Sequence, residues 1–418
     1  MLHELTRRVQ SLFVPTSQVL LLSAQERLLR HFCGRAVTIE SRRSAGGLNY
    51  IVVTARPRNE KAPPAPVASG EPPTKTLLLV HGFGSGLGFF FANYAALASS
   101  YDRVVAVDLL GMGGSNRGHL SEAPRISTPQ LAYQLFTGNR ERVDAEAVPR
   151  CMSFFTDSLE RFCAEVVTSE PGQQQQGKIH LAGHSLGGLI CWNFALRNKE
   201  RVEALILVSP CGVPAPPLDD AAAPTSATRT ALRFLWENNV TPQQLIRLAG
   251  PRGLGIITDV LNRRFNRRWD AVEANLIAEY FFHISAAPAS GEYALGSLLR
   301  PIVYREGEAV VTSIFAKRSI EHDVDAIAAS RSSSSSSSYS SPSPLLDAAA
   351  VPFPVLLQFG DHDWLRFKSV HAFVHKARSE AGIDMTYDLV PAAGHHIYLD
   401  NADGWHESIL RFRAKHAI

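Results

Sequence analysis

From Leu77 onward the chain is built of short apolar runs, each closed by glycine or a polar turn and each followed by a helical pattern. Runs apolar at consecutive positions suit strands buried on both faces, and their alternation with helices is the rhythm of a mainly parallel sheet. They fall at residues 77–80, 104–107, 179–182, 204–208, 355–359 and 386–390. Ahead of them, 36–40 and 48–54 read as strands joined by a turn containing Gly46 and Gly47, so an antiparallel hairpin is expected to open the sheet. Ser23 and Glu26 form a capping-box pair before Leu28 and Leu29, and Gly34 supplies a stop, which predicts a short helix there. Between Val213 and about Ala350 the strand rhythm gives way to helical periodicity, as a helical lid inserted between two core strands would require.

Elsewhere the pattern breaks. The Pro/Ala-rich stretch 59–74 suits neither ladder nor helix, and the glutamine run 173–176 and serine run 332–338 read as disordered surface loops. At the start, Leu2, Leu5, Val9, Leu12 and Phe13 fall at helical spacing, with Arg7 and Arg8 on the other side. Three readings fit that segment equally: a helix lying on a membrane surface, an organelle-targeting (mitochondrial) segment, or a helix packed on the domain. No apolar run reaches the about 18 to 20 residues a spanning helix needs, so a soluble or peripheral protein is expected. The predicted organisation is one elaborated domain: 1–75 with helix, hairpin and Pro-rich loop, 76–212 as the first part of the core, 213–350 as the lid with its serine-rich insert, and 351–418 as the second part of the core.

Composition changes this picture little. Hydrophobic residues at 45% and charged residues at 19% place the chain among globular proteins. A formal net charge of +3 is too slight to imply nucleic acid as a partner, and the densest basic patch, Arg263, Arg264, Arg267 and Arg268, reads as a solvated helix face. The five cysteines are odd in number and scattered without C-x-x-C spacing, which argues against a disulfide framework or a zinc site and for a reducing, cytoplasmic compartment. The glycines at 84, 86 and 88, and at 111, 113 and 114, complete neither a dinucleotide fingerprint nor a phosphate loop.

The sharpest chemical signal is Gly183-His184-Ser185-Leu186-Gly187, directly after a strand run and directly before a helix-like segment. A serine on so tight a turn needs small neighbours and is presented at the tip of the sheet, with a helix N-terminus behind it. Its hydroxyl needs a base, and His395 follows the last strand run, with His396 as the alternative. The orienting acid should end the preceding strand. There Asp363 is preferred to Asp361, which can satisfy the turn itself. The order Ser, Asp, His is that of the α/β-hydrolase fold. Two oxyanion donors, worth about 3 to 4 kcal/mol each, are assigned to the N–H groups of Leu186 and Phe83, and neither metal nor organic cofactor is required. Arg247, on the lid, is the candidate to meet a phosphate group on a substrate, since guanidinium matches phosphate geometry, and His184 is a candidate substrate contact.

With these residues in place, the chain resembles the α/β-hydrolases of the peptidase S33-like group, and within it the abhydrolase-domain 4/5 subfamily of lipid hydrolases, acyltransferases and lipid-droplet regulators. The likeness is carried by His81-Gly82-Phe83-Gly84-Ser85-Gly86, by Asp108-Leu109-Leu110-Gly111-Met112-Gly113-Gly114-Ser115, and by Arg247-Leu248-Ala249-Gly250-Pro251 and Tyr280-Phe281-Phe282-His283. The resemblance implies a lipid or phospholipid substrate, most simply a glycerophospholipid or lysophospholipid, and a peripheral membrane or lipid-droplet surface as the place of work. Some members carry asparagine for the nucleophile and activate other lipases; Ser185 aligns this chain with the catalytic members. The family also has an H-x-x-x-x-D pattern linked to lysophosphatidic acid acyltransfer, matched by His395 and Asp400. From the residues alone, Asp400, or else Asp403, reads as a helix cap or first-turn charge for the helix-like run 405–412. Hydrolysis through an acyl-enzyme is the expected activity, with acyltransfer or a non-catalytic regulatory role as the alternatives.

Overall fold

The computed structural model describes residues 16–56, 75–118, 141–167, 177–213, 236, 240–265, 268–306, 309–333 and 351–418. The N-terminal pattern, the Pro/Ala-rich stretch, the glutamine run and residues 334–338 of the serine run lie outside them.

The helix expected near Leu28 is longer than its capping signal suggests. It runs from Gln18 to Cys33 (α1), with Ser17 as the N-cap accepting the Leu20 N–H and Gly34 in the left-handed region at φ 56° as its stop. Ser23 and Glu26 lie inside it and bond Arg27 and Arg30 instead, because the buried stripe of Leu21, Ala24 and Leu28 begins before Ser23.

Eight strands form one sheet in the order β1-β2-β4-β3-β5-β6-β9-β10. These are β1 (Val37–Arg43), β2 (Asn49–Ala55), β3 (Thr76–Val80), β4 (Arg103–Val107), β5 (Ile179–His184), β6 (Val202–Val208), β9 (Val355–Gly360) and β10 (Met385–Val390). From β4 to β10 every pairing is parallel, while the β1–β2 hairpin adds antiparallel to β4 at one edge. All residues of β3, β5 and β9 are buried, as continuous apolar runs demand, whereas only Val37 of the edge strand β1 is. Alternate side chains feed two apolar layers: Leu78 and Val80 pack with Phe155, Phe194 and Phe373, and Leu77 and Leu79 with Leu28, Leu97 and Trp405. The first layer includes helices α2 (Glu141–Phe162) and α3 (Leu186–Arg197).

Between β6 and β9 come α4 (Pro242–Ala249), α5 (Gly253–Arg264), α6 (Ala271–Ala286) and α7 (Ile320–Ser333). Thr241 with Gln244 and Asp270 with Glu273 cap α4 and α6 reciprocally. The stretch is not wholly helical. Strands β7 (Leu299–Glu306) and β8 (Ala309–Ala316) form a separate antiparallel hairpin that the helical reading of 213–350 did not anticipate. Helices α8 (Val370–Ser379) and α9 (Ala402–His416) complete the second half of the core. In this topology the loops after β3, β5, β9 and β10 all leave the carboxyl edge of the sheet, where open parallel sheets hold ligands. Among the described residues no helix is long and apolar enough to cross a membrane.

Candidate active site

Strand β5 ends at His184 and α3 begins at Leu186, so Ser185 alone turns the chain. Its backbone sits at φ 54° and ψ −118°, a strained conformation for a residue with a Cβ. The turn is locked to the end of β6: the Ser185 N–H donates to Val208 O at 3.0 Å, and Ser185 O accepts the Cys211 N–H at 3.0 Å. Space explains the flanking glycines. A Cβ at Gly183 would strike the Gly187 carbonyl, and one at Gly187 the His81 and Val80 carbonyls.

The loops after β9 and β10 bring the other two residues in. Ser185 Oγ lies 3.1 Å from His395 Nε2, and His395 Nδ1 lies 3.1 Å from Asp363 Oδ1. With the carboxylate accepting the Nδ1–H, Nε2 is left to accept the serine proton. Asp363 Oδ1 also accepts the Leu365 N–H at 2.9 Å, which fixes the carboxylate before the histidine reaches it. All three residues are buried, and the half-exposed Trp364 ring stands 4.8 Å from the His395 ring at the edge of the site. A depression of about 490 Å³ opens beside His395, walled by Phe265, Trp364, Arg264 and Arg268.

Asp361, the rival acid, faces the loop backbone instead. Its carboxylate accepts the N–H groups of Ala392 and Ala393, both at 3.0 Å, and pairs with His362. Burial alone would raise this carboxyl, but the two amides and His362 outweigh it and hold the group below the usual carboxylate range. His396 turns away from the serine toward Phe89 and Phe265, and burial, with His395 and Arg264 nearby, keeps its imidazole neutral far below its ordinary value. His184, a candidate substrate contact in the sequence, is committed to the protein. Its Nε2–H donates to the His395 carbonyl at 2.9 Å, and Tyr398 Oη donates to its Nδ1 at 3.4 Å. The ring is 2% exposed and held neutral chiefly by burial, so it braces the histidine loop and offers no nitrogen to a substrate.

The loop after β3 passes close over Ser185. A Cβ at Gly82 would lie 3.0 Å from Ser185 Cβ and 2.9 Å from His184 Nδ1, so only glycine allows the approach that carries Phe83 past the serine. Across the elbow, Leu186 is the first residue of α3, and first-turn amides have no acceptor within their own helix. The Phe83 loop is itself tied down. Leu109 N–H donates to His81 Nε2 at 3.0 Å, which puts the ring proton on Nδ1, where it donates to Gly82 O at 2.7 Å. The buried Asp108 carboxylate then accepts Asn49 Nδ2, Leu87 N and Gly114 N, each at 2.7 Å, and joins the β2, β3 and β4 ends. An aspartate closing a buried strand before a glycine-rich turn was the available signal for that hub.

The sequence matches the family described as alpha/beta hydrolase fold over residues 75–402. The chain belongs to the α/β-hydrolase family. Within it, the chain is 28% identical over 422 residues to a 1-acylglycerol-3-phosphate O-acyltransferase of Arabidopsis thaliana, an alignment covering 95% of this chain and 81% of the relative. It is 28% identical over 226 residues to a (lyso)-N-acylphosphatidylethanolamine lipase of Mus musculus, covering 53% of this chain and 56% of that protein. Among solved structures, potato (Solanum tuberosum) epoxide hydrolase I superposes with a TM-score of 0.54 at 14% identity, over 90% of this chain and 100% of that one, a likeness of fold alone.

One residue expected at this candidate site is elsewhere. Arg247 donates through Nη1 to the carbonyls of Ser285 at 3.1 Å and Ala287 at 3.0 Å, and pairs with both carboxylate oxygens of Glu292. With the side chain 17% exposed, the guanidinium ties α4 to the end of α6 and is not presented to a headgroup. Conversely, the Cys211 thiol lies 3.4 Å from Ser185 Oγ, unannounced by any motif; burial pushes it up to about 11, so it stays a neutral thiol.

Proposed function

We propose that this chain is a serine carboxylester hydrolase of lipids that works through an acyl-enzyme on Ser185. The observation that carries the reading is the relay of two 3.1 Å contacts, Ser185 Oγ to His395 Nε2 and His395 Nδ1 to Asp363, at a serine strained into φ 54°. In the first half-reaction the Oγ–H proton passes to His395 Nε2 as Oγ bonds the acyl carbon, and the oxyanion takes the N–H groups of Phe83 and Leu186. The imidazolium, stabilised by Asp363, returns its proton to the departing alcohol oxygen as the ester C–O bond breaks. Water then attacks the acyl-enzyme, giving its proton to His395, and Ser185 leaves with that proton as the fatty acid is released.

Two relatives support a glycerophospholipid or lysophospholipid substrate: one is named for acyl transfer to 1-acylglycerol-3-phosphate, the other as a lipase of acylated phosphatidylethanolamines. The acyltransferase alignment spans 95% of this chain, which favours a second reading in which a lysolipid hydroxyl replaces water in the second half-reaction. Either substrate would arrive from a lipid surface. Exposed Leu245, Leu248, Ile256 and Val260 on α4 and α5, with exposed Arg252 and Arg263 beside them, suit contact with an anionic bilayer. Incubation of the protein with a panel of phospholipids and lysophospholipids, with and without an acyl donor, tests the reading. Free fatty acid formed by wild type and not by Ser185→Ala supports hydrolysis, and phosphatidic acid formed with the same dependence supports transfer. Neither product, or equal product from both proteins, removes the catalytic reading and leaves a regulatory one.

A further inference from the structure

We infer that Asp400, the aspartate of the His-x-x-x-x-Asp pattern, is a positioning residue that fixes the His395 loop and latches α5 onto it, and that it exchanges neither proton nor acyl group during the reaction. The inference rests on the reading of Ser185 and His395 as nucleophile and base.

The loop from Pro391 to His396 has its polar groups held from several sides. Asp361 accepts the N–H groups of Ala392 and Ala393, Ala393 O accepts the His362 N–H at 2.9 Å, and His184 donates to His395 O. The amide immediately before the base, Gly394 N–H, goes to Asp400 Oδ2 at 2.9 Å. Asp400 can reach back because the four-residue helix Ile397–Asp400 folds the chain over its own start. The same oxygen accepts Arg264 Nη2, at the last residue of α5, at 3.2 Å, and Arg268 Nη1 donates to the Asp400 carbonyl at 2.7 Å. Gly394 leaves room for this convergence: a Cβ there would sit 3.2 Å from both Arg264 Nη2 and Asp400 Oδ2.

The geometry leaves Asp400 no catalytic partner. Both ring nitrogens of His395 are engaged, one by Asp363 and one by Ser185, and Asp400 meets the loop through a backbone amide. Its effect on chemistry must therefore pass through the placement of His395, and hydrolysis and acyl transfer, which share that base, must respond together. A carboxylate serving only the transfer step would behave differently on both counts.

The test uses the full chain in three forms, Asp400→Ala, Asp400→Asn and Arg264→Ala, each checked for folding by its thermal unfolding midpoint. The rate of Ser185 labelling by a fluorophosphonate is read beside hydrolysis and transfer. Asparagine keeps an oxygen for the Gly394 N–H, whereas alanine does not. Asp400→Ala is expected to slow labelling, hydrolysis and transfer together by roughly tenfold to a hundredfold, the scale of a displacement of about 1 Å at a reacting group. Asp400→Asn should recover all three to within about threefold of wild type, and Arg264→Ala, which keeps the Gly394 bond but removes one wall of the depression beside His395, should slow labelling less than Asp400→Ala does. Loss of transfer alone in both Asp400 variants, with labelling intact, would overturn the inference, as would wild-type labelling by a folded Asp400→Ala. Absence of labelling in the wild type is a different failure, that of the serine-hydrolase reading itself.

Discussion

Asp363→Asn separates the charge of the acid from the shape of its hydrogen bond. Asp363 Oδ1 accepts two N–H groups at once, Leu365 N at 2.9 Å and His395 Nδ1 at 3.1 Å. An asparagine oriented to satisfy Leu365 keeps its carbonyl oxygen at that point, because the flipped amide would set N–H against N–H. The histidine then keeps its tautomer, and Nε2 still faces Ser185. What disappears is the negative charge that stabilises the imidazolium as the serine proton moves. A unit charge pair about 4 Å apart at an effective dielectric of about 20 is worth about 4 kcal/mol. At about 1.4 kcal/mol per decade, the acylation rate should fall roughly a thousandfold. Asp361→Asn, which disturbs the Ala392 and Ala393 amides and the His362 pair but no contact of His395 itself, should lose about tenfold or less. The assay is single-turnover acylation by a chromogenic short-chain ester, with both variants shown to keep the wild-type unfolding midpoint. A rate for Asp363→Asn within tenfold of wild type, or a greater loss in Asp361→Asn, would refute the assignment of the acid.

Gly82→Ala puts a methyl 3.0 Å from Ser185 Cβ and 2.9 Å from His184 Nδ1, so it should cost about 1 to 3 kcal/mol in the melting transition and abolish most esterase activity; a fully active variant would contradict the close approach. Arg247→Ala should leave any preference for phosphorylated over neutral lipids unchanged while lowering the unfolding midpoint, because it takes the guanidinium from the buried Glu292 carboxylate and leaves Thr241 Oγ1 as its donor; a collapse of that preference without destabilisation would restore Arg247 as a headgroup contact. His81, His184 and His396 are neutral in the fold, each lowered first by burial. Below the ordinary histidine value of about 6.5 the unfolded chain binds protons that the folded one refuses, so stability present above that pH is lost as pH falls, by about 1.4 kcal/mol per unit for each histidine. Urea midpoints at pH 7.5 and 5.5 measure this, and an equal midpoint at both would mean that these rings take up protons within the fold.

Features dictated by a few neighbouring residues were open to reading from the sequence. The strand runs are continuous because both faces are covered, and the Ser185 elbow needs small residues at Gly183 and Gly187 whatever the rest of the protein does. The neighbourhood of Asp363 and His395 followed from chain order, since loops after adjacent parallel strands meet at one edge. Where a side chain's partner is remote in sequence, the residue type alone misled. Arg247 looked free for a phosphate, but Glu292 lies across the insertion from it. His184 sits in the motif itself, yet its acceptor is the carbonyl of His395, which arrives from the opposite end of the chain. Asp400 suggested a helix cap, and its bond runs backward to Gly394. The β7–β8 hairpin escaped because it joins neither strand to the main sheet, so no strand–helix alternation marks it.

The central claim is that Ser185 is a nucleophile activated by His395. Intact-mass and peptide mass spectrometry after reaction with a fluorophosphonate examines it directly, in wild type, Ser185→Ala and His395→Ala. A single adduct on the peptide bearing Ser185 in wild type, absent in Ser185→Ala and slowed at least about a hundredfold in His395→Ala, is the predicted result. Folded wild-type protein that takes up no probe, or labelling that survives loss of His395 at the wild-type rate, would contradict it.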